Sequence, residues 1–195
     1  TDEDIDEDID EWRQLGGDIN GESSYDHVGF SVSLSGNGLT AVTSYRDVDS
    51  ADCDGHVRIY AYTCDNGWTQ LGQSLAGTKD TYDRHAGYAL SLSLDGRTVA
   101  IGAPFADVLG HYDVGYVRIY TYHEGCEMWN QLGCDIDGCQ TRGWWGKSVS
   151  LSSDGQSIAV AGPGVRGETF GKGVGYYDNC VGEQQDARLR WLGRG

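Results

Sequence analysis

The chain lacks several features that would assign it to common functional classes. It has no apolar run long enough to cross a bilayer and no signal-peptide pattern, because position 1 already lies in an acidic segment. We therefore expect no membrane insertion, and either a processed chain or a fragment of a longer one. No Gly-x-Ser-x-Gly, P-loop or His-Glu-x-x-His signature occurs. The sequence accordingly predicts a protein that is not an enzyme and has no catalytic residues.

Basic residues are also scarce. The 195 residues include 14 Lys and Arg against 30 Asp and Glu, for a net charge of −16. Such a surface repels phosphate backbones, so we expect no nucleic-acid partner. The same acidity is typical of a soluble extracellular protein in a salty or calcium-rich medium.

The six cysteines lack the Cys-x-x-Cys spacing of a zinc site. This favours disulfides, an oxidising compartment and secretion from the cell. Cys134 and Cys139 are close enough in sequence to form a local bridge. The remaining cysteines have no partner that the spacing identifies: Cys53, Cys64, Cys126 and Cys180.

Glycine and aromatic residues are abundant, and they follow a repeat. There are 30 Gly, 12 Tyr and 6 Trp but only 2 Pro, which favours an all-β chain with many tight turns. The pattern Trp-x-Gln-Leu-Gly begins at Trp12, Trp68 and Trp129, and Trp191-Leu-Gly closes the series. The tryptophans are spaced about 60 residues apart, as in a repeat architecture.

Each repeat contains four short strand patterns joined by turns. In the first repeat, residues 29–35 alternate apolar and hydroxyl side chains, the two-residue period of a half-buried strand, and Gly36-Asn37-Gly38 predicts a hairpin. Four-stranded antiparallel units of this size are the blades of a β-propeller. The sequence therefore predicts an acidic tail followed by three blades in an open array or in part of a propeller. The predicted boundaries are 1–11 for the tail and 12–67, 68–128 and 129–195 for the repeats.

The segment from Gly87 to Pro104 resembles an FG-GAP repeat, the blade unit of integrin α-subunit propellers. The wider pattern resembles FG-GAP-like arrays in secreted proteins of microbes and protists, and it covers residues 12–177. This resemblance implies a propeller-type fold and an extracellular role in adhesion or assembly, without a reaction.

Calcium is the one cofactor that the sequence suggests, and none is required. FG-GAP blades of integrins carry an Asp-rich calcium loop between their first two strands, but here that connection is a short hairpin with too few oxygens. The loop between the second and third strands of the first repeat supplies candidate ligands instead. A solvated acidic loop is the alternative interpretation. These candidates are Asp47, Asp49, Asp52 and Asp54.

Three blades are fewer than the four to eight that usually close a propeller. The chain is therefore predicted either to belong to a larger propeller or to join other copies of itself. We expect the second, with a filament or coat as the product and Trp12, Leu15 and Trp191 as assembly residues.

The alternative function is a ligand-binding module that recognises a glycan or an extracellular protein through its loops. Trp144 and Trp145 are the candidate ligand residues. If they lie on a strand, neighbouring side chains point to opposite faces, so one of the two is expected to be exposed.

Overall fold

A computed structural model describes residues 12–22, 26–45, 55–76, 86–163, 173–178 and 190–191. These residues form three antiparallel sheets, which we call blades 1, 2 and 3. None of the described residues forms a helix able to span a bilayer. The strands of blade 1 are β1 (Val32–Leu34), β2 (Thr40–Tyr45), β3 (His56–Thr63), β4 (Gly67–Gln70) and β5 (Leu75–Ala76). Those of blade 2 are β6 (Ala89–Leu92), β7 (Thr98–Ala103), β8 (Tyr116–His123), β9 (Met128–Gln131) and β10 (Ile136–Asp137). Those of blade 3 are β11 (Ser148–Leu151), β12 (Ser157–Gly162), β13 (Gly173–Asp178) and β14 (Arg190–Trp191).

Each blade is an antiparallel meander, so the predicted all-β fold of propeller-type blades is confirmed. In blade 1 the order is β1-β2-β3-β4, with β5 returning to the first half of β3. Blade 2 repeats this arrangement with β9 and β10 on β8. The outer strand of both blades is therefore split into two segments, whereas the sequence pattern predicts only the first.

The Trp-x-Gln-Leu-Gly motif produces this split. Gly72 and Gly133 both adopt φ near +73°, which turns the chain away from the ladder. The glutamine two residues earlier holds the turn, because the Gln70 amide donates to the Gly72 carbonyl at 3.0 Å. Gln131 additionally donates to Asp135 at 2.7 Å. The Trp-x-Gln-Leu-Gly motif therefore forms the local turn that interrupts the outer strand.

The motif tryptophan links consecutive blades. Trp68 Nε1 donates to the Leu15 carbonyl at 2.7 Å, and Trp129 Nε1 donates to the Leu71 carbonyl at 2.8 Å. Each tryptophan thus reaches back to the Leu-Gly turn of the preceding repeat. Each tryptophan ring also packs against a tyrosine on the third strand of its own blade.

Apolar residues of the inner strands fill the spaces between blades. Residues of β2 and β3 in blade 1 pack against residues of β6 and β7 in blade 2, and a second cluster joins blade 2 to blade 3. The largest fully buried side chains of the first cluster are Trp129, Ile59, Val42, Val57 and Val99.

The first blade leaves one apolar side uncovered. Val32 and Leu34 of β1 are 68% and 57% exposed, whereas Leu90 and Leu92 at the equivalent positions of β6 are each 8% exposed. Blade 1 covers β6, but no described residue covers β1 in the same way. This difference is what an open array of blades predicts.

The two ends of the array differ in their connections. Short hairpins, such as residues 35–38 and 93–96, join β1 to β2 and β6 to β7, and we call this end the turn face. Longer connections lie at the opposite end, where β2 and β7 finish, because antiparallel strands alternate in direction. We call that end the loop face and define it by residues 26–31, 86–88, 104–115 and 138–147.

Candidate ligand-binding site

The turn face is a fixed structural rim. Gly36 N donates to the Leu94 carbonyl at 2.8 Å, and Leu94 N donates to the Ser153 carbonyl at 2.9 Å, so the three hairpins are bonded in series. An open cavity of about 600 Å³ lies among them, lined by Gly36, Asn37, Leu94, Asp95, Ser153 and Asp154.

The carboxylates of this rim are used within their own turns. Burial raises the pKa of Asp95, but hydrogen bonds from Ser93 and from the Arg97 backbone outweigh burial and leave the pKa below its usual value. Asp154 is bonded in the same way to Ser152 and Gln156. The rim therefore explains why each hairpin has Ser-x-Asp or Ser-x-Asn, because one side-chain oxygen, Oδ1, accepts both bonds of the turn.

The loop face carries a continuous row of aromatic rings, which we call the aromatic row: Phe30, Tyr88, Phe105 and Trp144. The centroid distances are 5.2 Å from Phe30 to Tyr88, 5.5 Å from Tyr88 to Phe105 and 6.4 Å from Phe105 to Trp144. The rings are tilted or edge-to-face, the geometry that aromatic quadrupoles favour. The row runs across all three blades, and its rings are half-buried or exposed.

Glycines with positive φ place the side chains at this face. Gly29, Gly87 and Gly146 adopt φ of 84°, 91° and 87° just before the first strand of each blade. The next residue is Phe30, Tyr88 or Lys147, so equivalent positions of the three repeats meet at one surface. A Cβ on Gly146 would lie 2.6 Å from the Tyr116 carbonyl oxygen, so this position accepts no larger residue without a backbone shift.

Two hydrogen-bonded loops hold Trp144 in place. Trp144 N donates to the Asp113 carbonyl at 3.1 Å, and Trp145 N donates to the Val114 carbonyl at 3.0 Å. Trp144 itself has φ of 51°, a conformation that is rare for a bulky residue. Its indole N–H is buried and has no acceptor among the described residues. Strained backbone of this kind persists only where surrounding contacts enforce it, and it concentrates at binding sites.

The structure separates the candidate ligand residues Trp144 and Trp145, but strand alternation is not the cause. The two residues lie in a turn before β11 and not on a strand. Trp145 is only 9% exposed and packs with Ala100, Val117 and Ile158 between blades 2 and 3. Trp144 belongs to the aromatic row, and Trp145 does not.

Sequence reasoning missed Phe30, Tyr88, Phe105 and Lys147 as site residues. The usable signal was their place in the repeat, since three of them follow the glycine that opens the first strand. Each ring taken alone is indistinguishable from an ordinary core aromatic.

The arginines of the third strands form separate structural pairs. Arg118 binds Asp135 with two hydrogen bonds from Nε and one from the guanidinium Nη2 at 2.8–3.0 Å, and it lies over the Tyr116 ring. Its counterpart Arg58 pairs with Glu22 at 2.8 Å. Each contact links the chain that follows a Trp-x-Gln-Leu-Gly motif to the third strand of a blade, β3 or β8.

Asp135 makes the stability of blade 2 depend on pH. Burial raises its pKa, but the hydrogen bonds from Arg118 and Gln131 outweigh burial and bring the pKa below its usual value. The stabilisation is therefore complete above the unfolded pKa of about 3.9 and is lost as pH falls through the lower folded-state pKa. We expect Asp135→Asn to melt at a lower temperature than the wild type near neutral pH, with the difference shrinking below about pH 3.

Thermal melting followed by circular dichroism across this range measures the effect. Asp65→Asn, in an exposed turn, is the control and is expected to melt like the wild type throughout. A difference for Asp135→Asn that stays constant with pH would contradict the assignment.

Several predicted sites are not assembled by the described residues. The calcium candidates Asp47, Asp49, Asp52 and Asp54 lie outside the described ranges, as do Cys53 and Cys180, and these sites stay predictions. The described residues hold no cluster of three His, Cys, Asp or Glu side chains suited to a metal. Cys64, Cys126, Cys134 and Cys139 are exposed free thiols, so the predicted Cys134–Cys139 bridge is not formed in the structure.

The predicted assembly residues have different surroundings. Trp12 is fully exposed, and the Leu15 carbonyl is occupied by Trp68 of the same chain. Trp191 pairs through its backbone with Gly175 in blade 3.

Comparison with known proteins gives likeness of fold alone. No family model matches the chain, and no curated protein matches it. Similar solved structures include a protein assigned as a 6-phosphogluconolactonase of Bacteroides uniformis, with 8% identity and a TM-score of 0.45 over 84% of this chain and 55% of that one. The periplasmic gluconolactonase of Pseudomonas aeruginosa has 17% identity and a TM-score of 0.46 over 76% and 38%. A protein assigned as a 6-phosphogluconolactonase of Bacteroides fragilis has 16% identity and a TM-score of 0.46 over 94% and 45%.

The chain thus spans about half or less of the length of these structures. One of them is named as periplasmic.

These findings correct three expectations from the sequence. The FG-GAP resemblance is wrong, because no family model matches and the similar folds are named as lactonases. The structural, adhesive, filament-forming function that followed from this resemblance is overturned by the same finding. So is the expectation that the protein is not an enzyme, since the similar structures carry enzyme names.

Proposed function

We propose that the loop face is the substrate-binding face of a carbohydrate-active propeller, in which the aromatic row holds a monosaccharide-sized ring. The observation that carries this proposal is the row itself, four rings spaced 5.2–6.4 Å apart across three blades. Each half-exposed ring offers an apolar surface to the C–H face of a sugar, and Tyr88 adds a hydroxyl at the same place.

The loop face is better suited to this role than the turn face. Binding residues are placed preferentially on loops held by a rigid scaffold, and here two loops bonded to each other support Trp144. The rim of the turn face, by contrast, uses the Oδ1 atoms of Asn37, Asp95 and Asp154 within its own turns.

We also propose that the protein works outside the cytoplasm as a secreted protein, with a glycan or a sugar derivative as its partner. The strongly acidic surface supports this location. Nucleic acid is excluded from the proposed partners on the same charge argument.

Titration of the purified protein with monosaccharides, followed by tryptophan fluorescence, tests the proposal. We expect a saturable change in emission, and Trp144→Ala is expected to weaken the affinity by about tenfold or more, as for an aromatic anchor. Leu109→Ala and Tyr112→Ala are matched controls, because both side chains are exposed on the loop of residues 104–115 of the loop face and lie outside the row. They are expected to bind like the wild type.

Glucono-1,5-lactone is included among the probes, and its hydrolysis is followed by acid release against the spontaneous rate. Saturable hydrolysis that falls with Trp144→Ala would support a role in turnover as well as binding. The absence of both binding and hydrolysis in a folded protein would contradict the proposal.

A further inference from the structure

We propose that Lys147 makes the aromatic row selective for a sugar ring that carries a carboxylate, such as a uronic or an aldonic acid. This inference rests on the proposed function above and names its ligand class. It starts from the position of Lys147, which stands where the other two blades place Phe30 and Tyr88. The third repeat therefore ends the row with an ammonium group.

Three of the described arginines form ion pairs with carboxylates. Arg58 pairs with Glu22 and Arg118 with Asp135, both at 2.8 Å, and Arg97 pairs with Glu124. Lys147 differs from these, because its Nζ lies 5.1 Å from the centroid of the Trp144 ring. No carboxylate of the described residues lies within 4.0 Å of this ammonium.

Lys147 is more buried than the other described cations that lack a carboxylate partner. Arg13 and Arg142 are exposed to solvent, whereas Lys147 is half-buried against the indole. A partly desolvated ammonium gains more from an anion than an exposed one does, because screening is weaker there. The cation–π contact holds the ammonium at the edge of the row and leaves its N–H donors for a ligand.

The chemistry of the ligand follows from this arrangement. An acidic sugar offers an apolar ring face to the aromatic side chains and a carboxylate at its edge to Lys147. The net charge of −16 repels anions over most of the surface, so among the described residues at the aromatic row such a ligand depends on the Lys147 ammonium. The ammonium then selects for acidic sugars over neutral ones.

Calorimetric titration with D-glucuronate and with D-glucose tests the inference in the wild type, Lys147→Gln and Lys147→Arg. We expect glucuronate to bind about tenfold more tightly than glucose, with this preference weakening as salt rises. Lys147→Gln is expected to abolish the preference, because it weakens glucuronate binding more than glucose binding, and Lys147→Arg is expected to retain it. Arg142→Gln, which removes an exposed cation from the same loop, is expected to behave like the wild type.

The outcomes separate this inference from the function on which it rests. Equal binding of the two sugars, or a preference that survives Lys147→Gln, overturns the role of Lys147 and leaves the aromatic row as a neutral-sugar site. Failure of both sugars to bind a protein with native circular dichroism overturns the proposed function and this inference together.

Discussion

Replacing Trp129 by alanine is expected to lower the free energy of unfolding by about 3–5 kcal/mol, the usual range for a buried tryptophan. Trp129 is only 2% exposed, and its ring packs 5.3 Å from that of Tyr122. The variant would lose the hydrogen bond to Leu71 and leave a cavity between blades 1 and 2. Gln73 would remain bonded to the backbone of residue 129, so the loss reports the side chain alone.

Trp12→Ala is the matched control, because Trp12 occupies the same position of the repeat and is fully exposed. We expect its free energy of unfolding to stay within about 0.5 kcal/mol of the wild type. Urea unfolding followed by circular dichroism measures both variants. Comparable losses for Trp12→Ala and Trp129→Ala would contradict the assignment of Trp129 as the link between blades.

The repeat and the strands could be predicted from sequence because both are local properties. The alternation in residues 29–35 and the turn at Gly36-Asn37-Gly38 are set within a few residues. The role of the motif tryptophan could not be predicted, because its acceptor is a backbone carbonyl 58 positions away, at Leu71. A carbonyl has no sequence signature, and only the packing of blades brings it near.

The aromatic row likewise could be predicted only in part, because it depends on contacts between repeats. Trp144 could be singled out by its neighbour Trp145, but the other three rings of the row come from the first two repeats. The sequence alone gives no distance between Phe30 and Tyr88. Their proximity follows from the stacking of blades 1 and 2, which the buried side of β6 enforces.

The same repeat pattern therefore gives the array two ends that differ in chemistry. The turn face has nearly the same chemistry in every blade, since Ser35, Ser93 and Ser152 each accept a hydrogen bond from the first residue of the return strand at 2.9 Å. The loop face varies, with Phe, Tyr and Lys at one equivalent position. Variation on a constant scaffold is the pattern expected of a binding surface, which supports the choice of the loop face for ligand binding.

Leu92→Ala is expected to cost about 2–5 kcal/mol, the range for a buried leucine. Leu92 lies in the core between blades 1 and 2, and its backbone N–H donates to the Ser33 hydroxyl at 3.1 Å. The backbone bond survives the substitution, so the cost comes from lost apolar contact and the cavity that remains. Urea unfolding measures it.

Leu34→Ala tests the uncovered side of blade 1 at the equivalent position. Because Leu34 is largely exposed, its removal is expected to cost less than about 1 kcal/mol. A loss equal to that of Leu92→Ala would mean that β1 is covered in solution by something other than the described residues. Size-exclusion chromatography at the same concentration would then show whether a second molecule provides the cover. An unchanged elution volume would place the cover within the chain, whereas a shift that Leu34→Ala removes would place it between molecules.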